Sequence, residues 1–200
     1  MKSIPGKGAN HSNGSVVVAG AGIVGLTTAV LFSEAGLDVK VFDPTTTDDL
    51  PDSGFERRQY ALSPAARQLL ADCGAWERLA ADRIATVNGM EVWDSPSNGH
   101  IRFRAPDTDG VFGYMVEHGN LTQALWQRAA ALGVEHVAES ISTLQQQQSG
   151  IEVRGSGSAT KHASLLIGAD GSHSTVRTLL GVDAERSPYR QRALVANIDC

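Results

Sequence analysis

A glycine turn set between a buried strand and a helix constrains this chain more than any other feature. Ser15-Val-Val-Val-Ala19 is a short, continuous apolar run, the pattern of a strand covered on both faces. It runs into Gly20-Ala-Gly-Ile-Val-Gly25. Apolar residues on a helical period follow over 22–35, and Gly36 stands where a helix closes. Val39-Lys-Val-Phe-Asp43 reads as a second strand, stopped by Pro44. Strand, helix and strand within about 30 residues form a βαβ unit, which lays its two strands parallel in one sheet.

The turn matches G-x-G-x-x-G. Alone that pattern is weak, and a glycine-rich turn without a ligand would also show it. The preceding strand, the following helix and an acid closing the second strand give it the context of a dinucleotide-binding turn. In that context Gly20 permits the tight turn, Gly22 bares the backbone to a pyrophosphate, and Gly25 lets helix and strand pack closely. The unpaired N–H groups of the helix N-terminus suit the phosphates. Asp43 is placed to bond the ribose hydroxyls of an adenosine half, and its carboxylate disfavours a 2′-phosphate there. The turn by itself does not choose between NAD and FAD.

Other classes are set aside by composition. Residues 15–33 carry no charge, but Gly20, Gly22, Gly25, Thr27 and Thr28 interrupt them, and a membrane span needs roughly 20 apolar residues. Glu34-Ala-Gly-Leu-Asp-Val-Lys follows in place of a signal-peptide cleavage site. The 17 Lys and Arg against 22 Asp and Glu give a net charge of −5, and they are scattered, so no nucleic-acid footprint is expected. Cys73 and Cys200 share no metal-ligand spacing; no metal site is expected, and a reducing compartment fits.

The remaining pattern alternates helices with strands. Residues 1–14 read as a loose polar tail and 44–56 as a polar loop. Ser63-Pro64 opens a helix toward Gly74, and a shorter helix follows near Trp76. Met90–Asp94 and His100–Phe103 alternate like strands around Ser97-Asn-Gly99, a hairpin pattern. A strand at Tyr114–Glu117, a helix at Asn120–Leu132 and strands at 134–138, 141–147, 151–154 and 162–167 follow, the last three as a meander. Ser174–Leu180 reads as a short helix and 193–198 as a strand. Gly168-Ala-Asp-Gly171 sits where a strand ends, where ligands collect in open α/β sheets; a plain turn would explain this segment equally well by itself. Asp170, Ser172 and His173 do not make a hydrolase triad, and no G-x-S-x-G elbow is present.

Taken together, the Gly20–Gly25 turn with Asp43, and Gly168-Ala-Asp-Gly171 ending in Arg177, resemble the group A flavoprotein monooxygenases. Arg58-Gln-Tyr-Ala-Leu-Ser-Pro64, Gly89-Met-Glu-Val-Trp-Asp94 and Val116-Glu-His-Gly-Asn-Leu-Thr-Gln-Ala-Leu-Trp126 are similar to the ubiquinone-biosynthesis hydroxylases among them. The resemblance implies an α/β fold: a Rossmann-like FAD-binding βαβ sheet with an inserted β-rich part of a substrate domain, truncated at its C-terminal end. It implies a FAD-binding domain over 15–88 and 110–182, and an incomplete substrate domain beginning at 89–109 and 183–200. It carries Gly20, Gly22, Ile23, Val24, Gly25, Asp43, Arg58, His118 and Asp170 over as cofactor-binding residues. No catalytic acid or base is assigned, since the cofactor carries the hard chemistry.

The implied activity is hydroxylation of a polyprenylated phenol with FAD, NAD(P)H as reductant and O2. A cytoplasmic protein is implied, with a peripheral seat at the inner membrane or in a biosynthetic complex through the missing half. The family's third motif, a Gly-Asp sequence followed by His and Pro, does not occur in these 200 residues, so the chain alone is expected to be inactive. A hydroxylase of a small soluble aromatic and a non-catalytic FAD-binding half-protein are the alternatives. An NAD-dependent dehydrogenase would explain the first motif but neither Arg58 nor the Asp170-Gly171 segment.

Overall fold

A computed structural model of the chain describes residues 14–46, 56–94, 98–104, 110–157, 159–185 and 187–196. The expected tail over 1–13, most of the polar loop after Pro44, Ser97 of the hairpin turn, and 197–200 lie outside the described residues.

Four parallel strands form the central sheet. They are β1 (Ser15–Ala19), β2 (Asp38–Phe42), β8 (Glu135–Val137) and β12 (Leu165–Gly168), in the order β12-β1-β2-β8. The β1 side chains alternate between two cores. Val16 and Val18 join Val39 and Val41 beneath α1 (Ile23–Glu34) and α3 (His118–Ala131), against Leu26, Val30, Leu121 and Leu125. Val17 and Ala19 join Phe42 on the opposite face, against Ile141, Val153 and Ala163. Those three belong to the antiparallel meander β9 (Ile141–Gln147), β10 (Gly150–Gly155) and β11 (Lys161–Ala163). Burial on both faces is why β1 reads as an unbroken apolar run rather than an alternating one.

Both helices run against the strands and so run parallel to each other. α1 returns the chain to the start of β2, and α3 returns it to the start of β8. Ser33 Oγ donates to the Leu132 carbonyl at 3.4 Å, and Arg128 is paired with Glu34, which ties the two C-terminal ends together. The N-terminus of α3 therefore stands at the same end of the molecule as the glycine turn.

A second sheet, β3 (Gln59–Leu62), β7 (Gly113–Glu117) and β4 (Ile84–Val87), is antiparallel with β7 at its centre. α2 (Pro64–Asp72) is capped by Ser63, whose hydroxyl accepts the Ala66 N–H at 3.2 Å. β5 (Gly89–Trp93) and β6 (His100–Arg104) form the expected hairpin as a separate two-stranded ribbon. Met90 lies opposite Phe103 and Val92 opposite Ile101, and all four are exposed. The other face carries the Glu91–Arg102 ion pair.

Several boundaries differ from the sequence expectation. β3 and β4 were not foreseen, and α3 begins at His118 rather than Asn120. The single strand expected over 162–167 is two strands in two sheets, parted at Ser164, whose N–H donates to the Ser15 carbonyl at 2.8 Å. Residues 193–196 are not a strand. Ala193–Ile198 is apolar enough to pair, but Leu194 is 96% exposed and its described part has no sheet neighbour.

Candidate functional site: a diphosphate cradle at the sheet's carboxyl end

The three glycines of the turn are held by three different contacts. Gly20 has φ +102°, and a Cβ there would stand 2.4 Å from the Ala169 carbonyl oxygen. A Cβ on Gly25 would stand 1.9 Å from the Gly20 carbonyl oxygen. Neither backbone neighbour can give way. A Cβ on Gly22 would meet nothing within 4 Å. That position is bare toward open space, at the N-terminal end of a 12-residue helix, the arrangement that accepts an anion.

Asp43 leans over this turn. Its Oδ2 accepts the Ala21 N–H at 2.7 Å and its Oδ1 accepts the Thr45 N–H at 2.8 Å. Each carboxylate oxygen keeps a further lone pair for a hydroxyl. The Asp43 carbonyl accepts from His136 Nε2 at 2.9 Å, and the His136 ring meets Trp126 edge-on at 4.6 Å. The end of β2 is thereby fixed from both sides.

Asp170 arrives from the neighbouring strand end. Its Oδ2 accepts the N–H groups of Thr175 at 2.7 Å and Val176 at 3.1 Å, the first turn of α4 (Thr175–Leu179). Its Oδ1 is buried and has no partner among the described residues. A buried acceptor left unpaired is costly; the residue that carries it borders a cavity. Burial pushes the Asp170 carboxyl upward, but the Ser174 hydroxyl and the amides of Val176 and Thr175 outweigh it and hold it below the usual value.

That cavity has a volume of about 410 Å³. Gly20, Gly22, Asp43, Ser140, Asp170 and Thr175 all border it. Four of the residues singled out in the sequence thus meet at the carboxyl end of the parallel sheet. The others do not line it. Gly25 lies beneath the turn, Ile23 packs against the core, and Val24 is 71% exposed on α1.

Arg58 and His118 form a second cluster, at the first turn of α3. The His118 N–H donates to the Arg58 carbonyl at 2.9 Å. His118 Nδ1 lies 3.3 Å from the Tyr60 hydroxyl, and the Arg58 guanidinium lies 5.6 Å from the Tyr60 ring centroid. Burial, then the Arg58 charge, lowers the His118 pKa, against an opposing pull from Glu56. The shift favours the neutral ring. Sequence reasoning missed Tyr60, His136, Arg83 and Glu117, whose partners are distant along the chain. Among the described residues no group of acids, histidines and cysteines could hold a metal ion, and no helix is long and apolar enough to cross a membrane.

A parallel sheet, a glycine turn at a helix N-terminus and an acid closing the adjacent strand define a Rossmann-type nucleotide-binding unit. Residues 13–199 match the family described as FAD binding domain, and the chain belongs to that family. It is 30% identical over 193 residues to the 3-demethoxyubiquinol 3-hydroxylase of Escherichia coli, covering 92% of this chain and 48% of that one. It is 28% identical to the ubiquinone hydroxylase UbiL of Rhodospirillum rubrum, covering 98% of this chain and 46% of the relative. Among solved structures, Pseudomonas aeruginosa PqsL in complex with 2-aminobenzoylacetate superposes with a TM-score of 0.73 at 22% identity, over 88% of this chain and 48% of PqsL. The fold is therefore shared, and the chain spans about half the length of the relatives it matches.

Proposed function

We propose that this chain is the cofactor-binding part of a FAD-dependent monooxygenase that hydroxylates a polyprenylated phenol in ubiquinone biosynthesis, with NAD(P)H as reductant and O2. The observation that carries the cofactor assignment is the cavity itself: the bare Gly22, Asp43 and Asp170 border one space. The amides around Gly22 would take the diphosphate, Asp43 the ribose hydroxyls, and Asp170 would stand beside the cofactor. Arg58 would add charge-assisted bonds to phosphate, and His118 would stand nearer the flavin. Ile23, Val24 and Gly25 would build the turn rather than touch the ligand. Bound FAD supplies the electron transfer from NAD(P)H to O2; the chain's own residues bind, orient and exclude water. The prenylated phenol is supported by the names of the relatives, which are ubiquinone hydroxylases. Residues 89–109 and 183–200 are read as the beginning of the substrate-facing part, and a peripheral membrane seat or a biosynthetic complex as its setting.

The test is direct. Purified chain mixed with FAD and desalted should stay yellow and quench flavin fluorescence. A colourless protein whose calorimetric titration with FAD is flat would overturn the cofactor assignment. For substrate class, the protein with its substrate-facing part should consume NAD(P)H and O2 with a prenylated phenol and not with a small aromatic acid; the reverse preference would refute the ubiquinone reading.

A further inference from the structure

We infer that the Arg83–Glu117 ion pair is a positioning latch that sets where Arg58 and His118 stand for the cofactor. The inference rests on the proposed reading that those two residues face FAD. Glu117 is 6% exposed, and burying a carboxylate is unfavourable unless its partners are well placed. Its partners come from two distant segments. Arg83 donates to Oε2 through Nε at 2.9 Å and Nη2 at 2.5 Å. Oε1 accepts the backbone N–H of Glu56 at 3.0 Å.

Glu56 completes the connection. Its carboxylate accepts the Gly119 N–H at the first turn of α3. A Cβ on Gly119 would stand 3.0 Å from Glu56 Oε1, so the absence of a side chain there makes room for the carboxylate. Two residues further on, the Arg58 carbonyl accepts the His118 N–H. The segment carrying Arg58 is thus stapled to the helix carrying His118 at two points, and Glu117 holds the staple from below. Because α1 and α3 run parallel, this junction lies at the glycine-turn end of the molecule. Neither Arg83 nor Glu117 borders the cradle; they act through the residues they hold. A buried ion pair adds little net stability compared with apolar packing, whereas its directional bonds fix geometry.

Two variants test this. Arg83→Met with Glu117→Gln removes both charges together, which leaves no lone buried ion and should fold. Gly119→Ala leaves the ion pair intact, favours the helix and pushes the Glu56 carboxylate away. Affinities are measured for FAD by flavin fluorescence and for AMP, which reaches only the Gly20–Asp43 end, by calorimetry. Both variants should bind FAD about tenfold more weakly while AMP stays within about twofold, the scale of coupling between contacting residues. An unchanged FAD-to-AMP ratio in both overturns the latch. So does an equal loss of both ligands, which would mark a merely structural pair. If the unmodified chain binds AMP but FAD no more tightly, the latch fails while the cradle stands. If it binds neither, the cofactor assignment beneath it fails too.

Discussion

Gly22 and Gly25 sit three positions apart in one turn, yet the structure asks opposite things of them. Gly25→Ala would drive a methyl into the Gly20 carbonyl, 1.9 Å away. It should lose about 1–3 kcal/mol of stability, the cost of overpacking where backbone cannot retreat. Gly22→Ala meets nothing, and its φ of −70° is ordinary. It should fold with less than about 1 kcal/mol lost, yet bind nucleotide more weakly because the methyl occupies the cradle. Urea unfolding and a nucleotide titration separate the two; equal effects on both measurements would contradict the assignment of roles. These residues were legible in the sequence because local sterics single them out. Arg83 and Glu117 were not, because 34 positions separate them and nothing local marks either as paired. His136 likewise looks like any histidine on a short strand.

The four parallel strands show a similar division at the scale of elements. β1 and β2 carry their pattern openly, since both faces of the sheet are covered. The run from His162 to Ile167 gave no sign of dividing, because both halves are strand-like and only the tertiary context turns the chain at Ser164. β3 and β4 are four residues each, too short for alternation to declare itself. Short α4 depends on its caps: Ser174 Oγ accepts the Arg177 N–H at 3.0 Å, and Asp170 holds the first two amides. The Asp170 pKa is depressed on folding, so its contribution is full above the unfolded carboxylate value and is lost as pH falls through the folded one. Asp170→Asn should therefore be about 1 kcal/mol less stable at pH 7, with the gap closing as pH falls below the ordinary carboxylate range. Thermal melts of both proteins across that range give the measurement; a gap independent of pH would show that the charge contributes nothing.

Across the whole molecule, the apolar surface is uneven. The face of the β5–β6 ribbon bearing Met90, Val92, Ile101 and Phe103 stays exposed, although the Phe103 ring meets that of Phe112, and Leu165, Leu180 and Val182 are exposed beside the outer edge of β12. Patches of this kind mark contact surfaces, and a two-stranded ribbon is marginal without one. The 200-residue chain alone should therefore enhance the fluorescence of ANS, and Val92→Lys with Ile101→Lys should abolish much of that signal while leaving far-ultraviolet circular dichroism unchanged. No enhancement in the unmodified chain would mean that the face is covered in solution.

The glycine turn follows a different logic, because at Gly22 it presents bare backbone rather than a side chain. Amides are common to every residue, so a lineage can exchange the outward-facing neighbours of such a turn and still grip a diphosphate. Only the gain of bulk at an empty place ends the grip. Descendants of one ancestral turn can thus drift far apart in spelling while remaining alike in what they leave out.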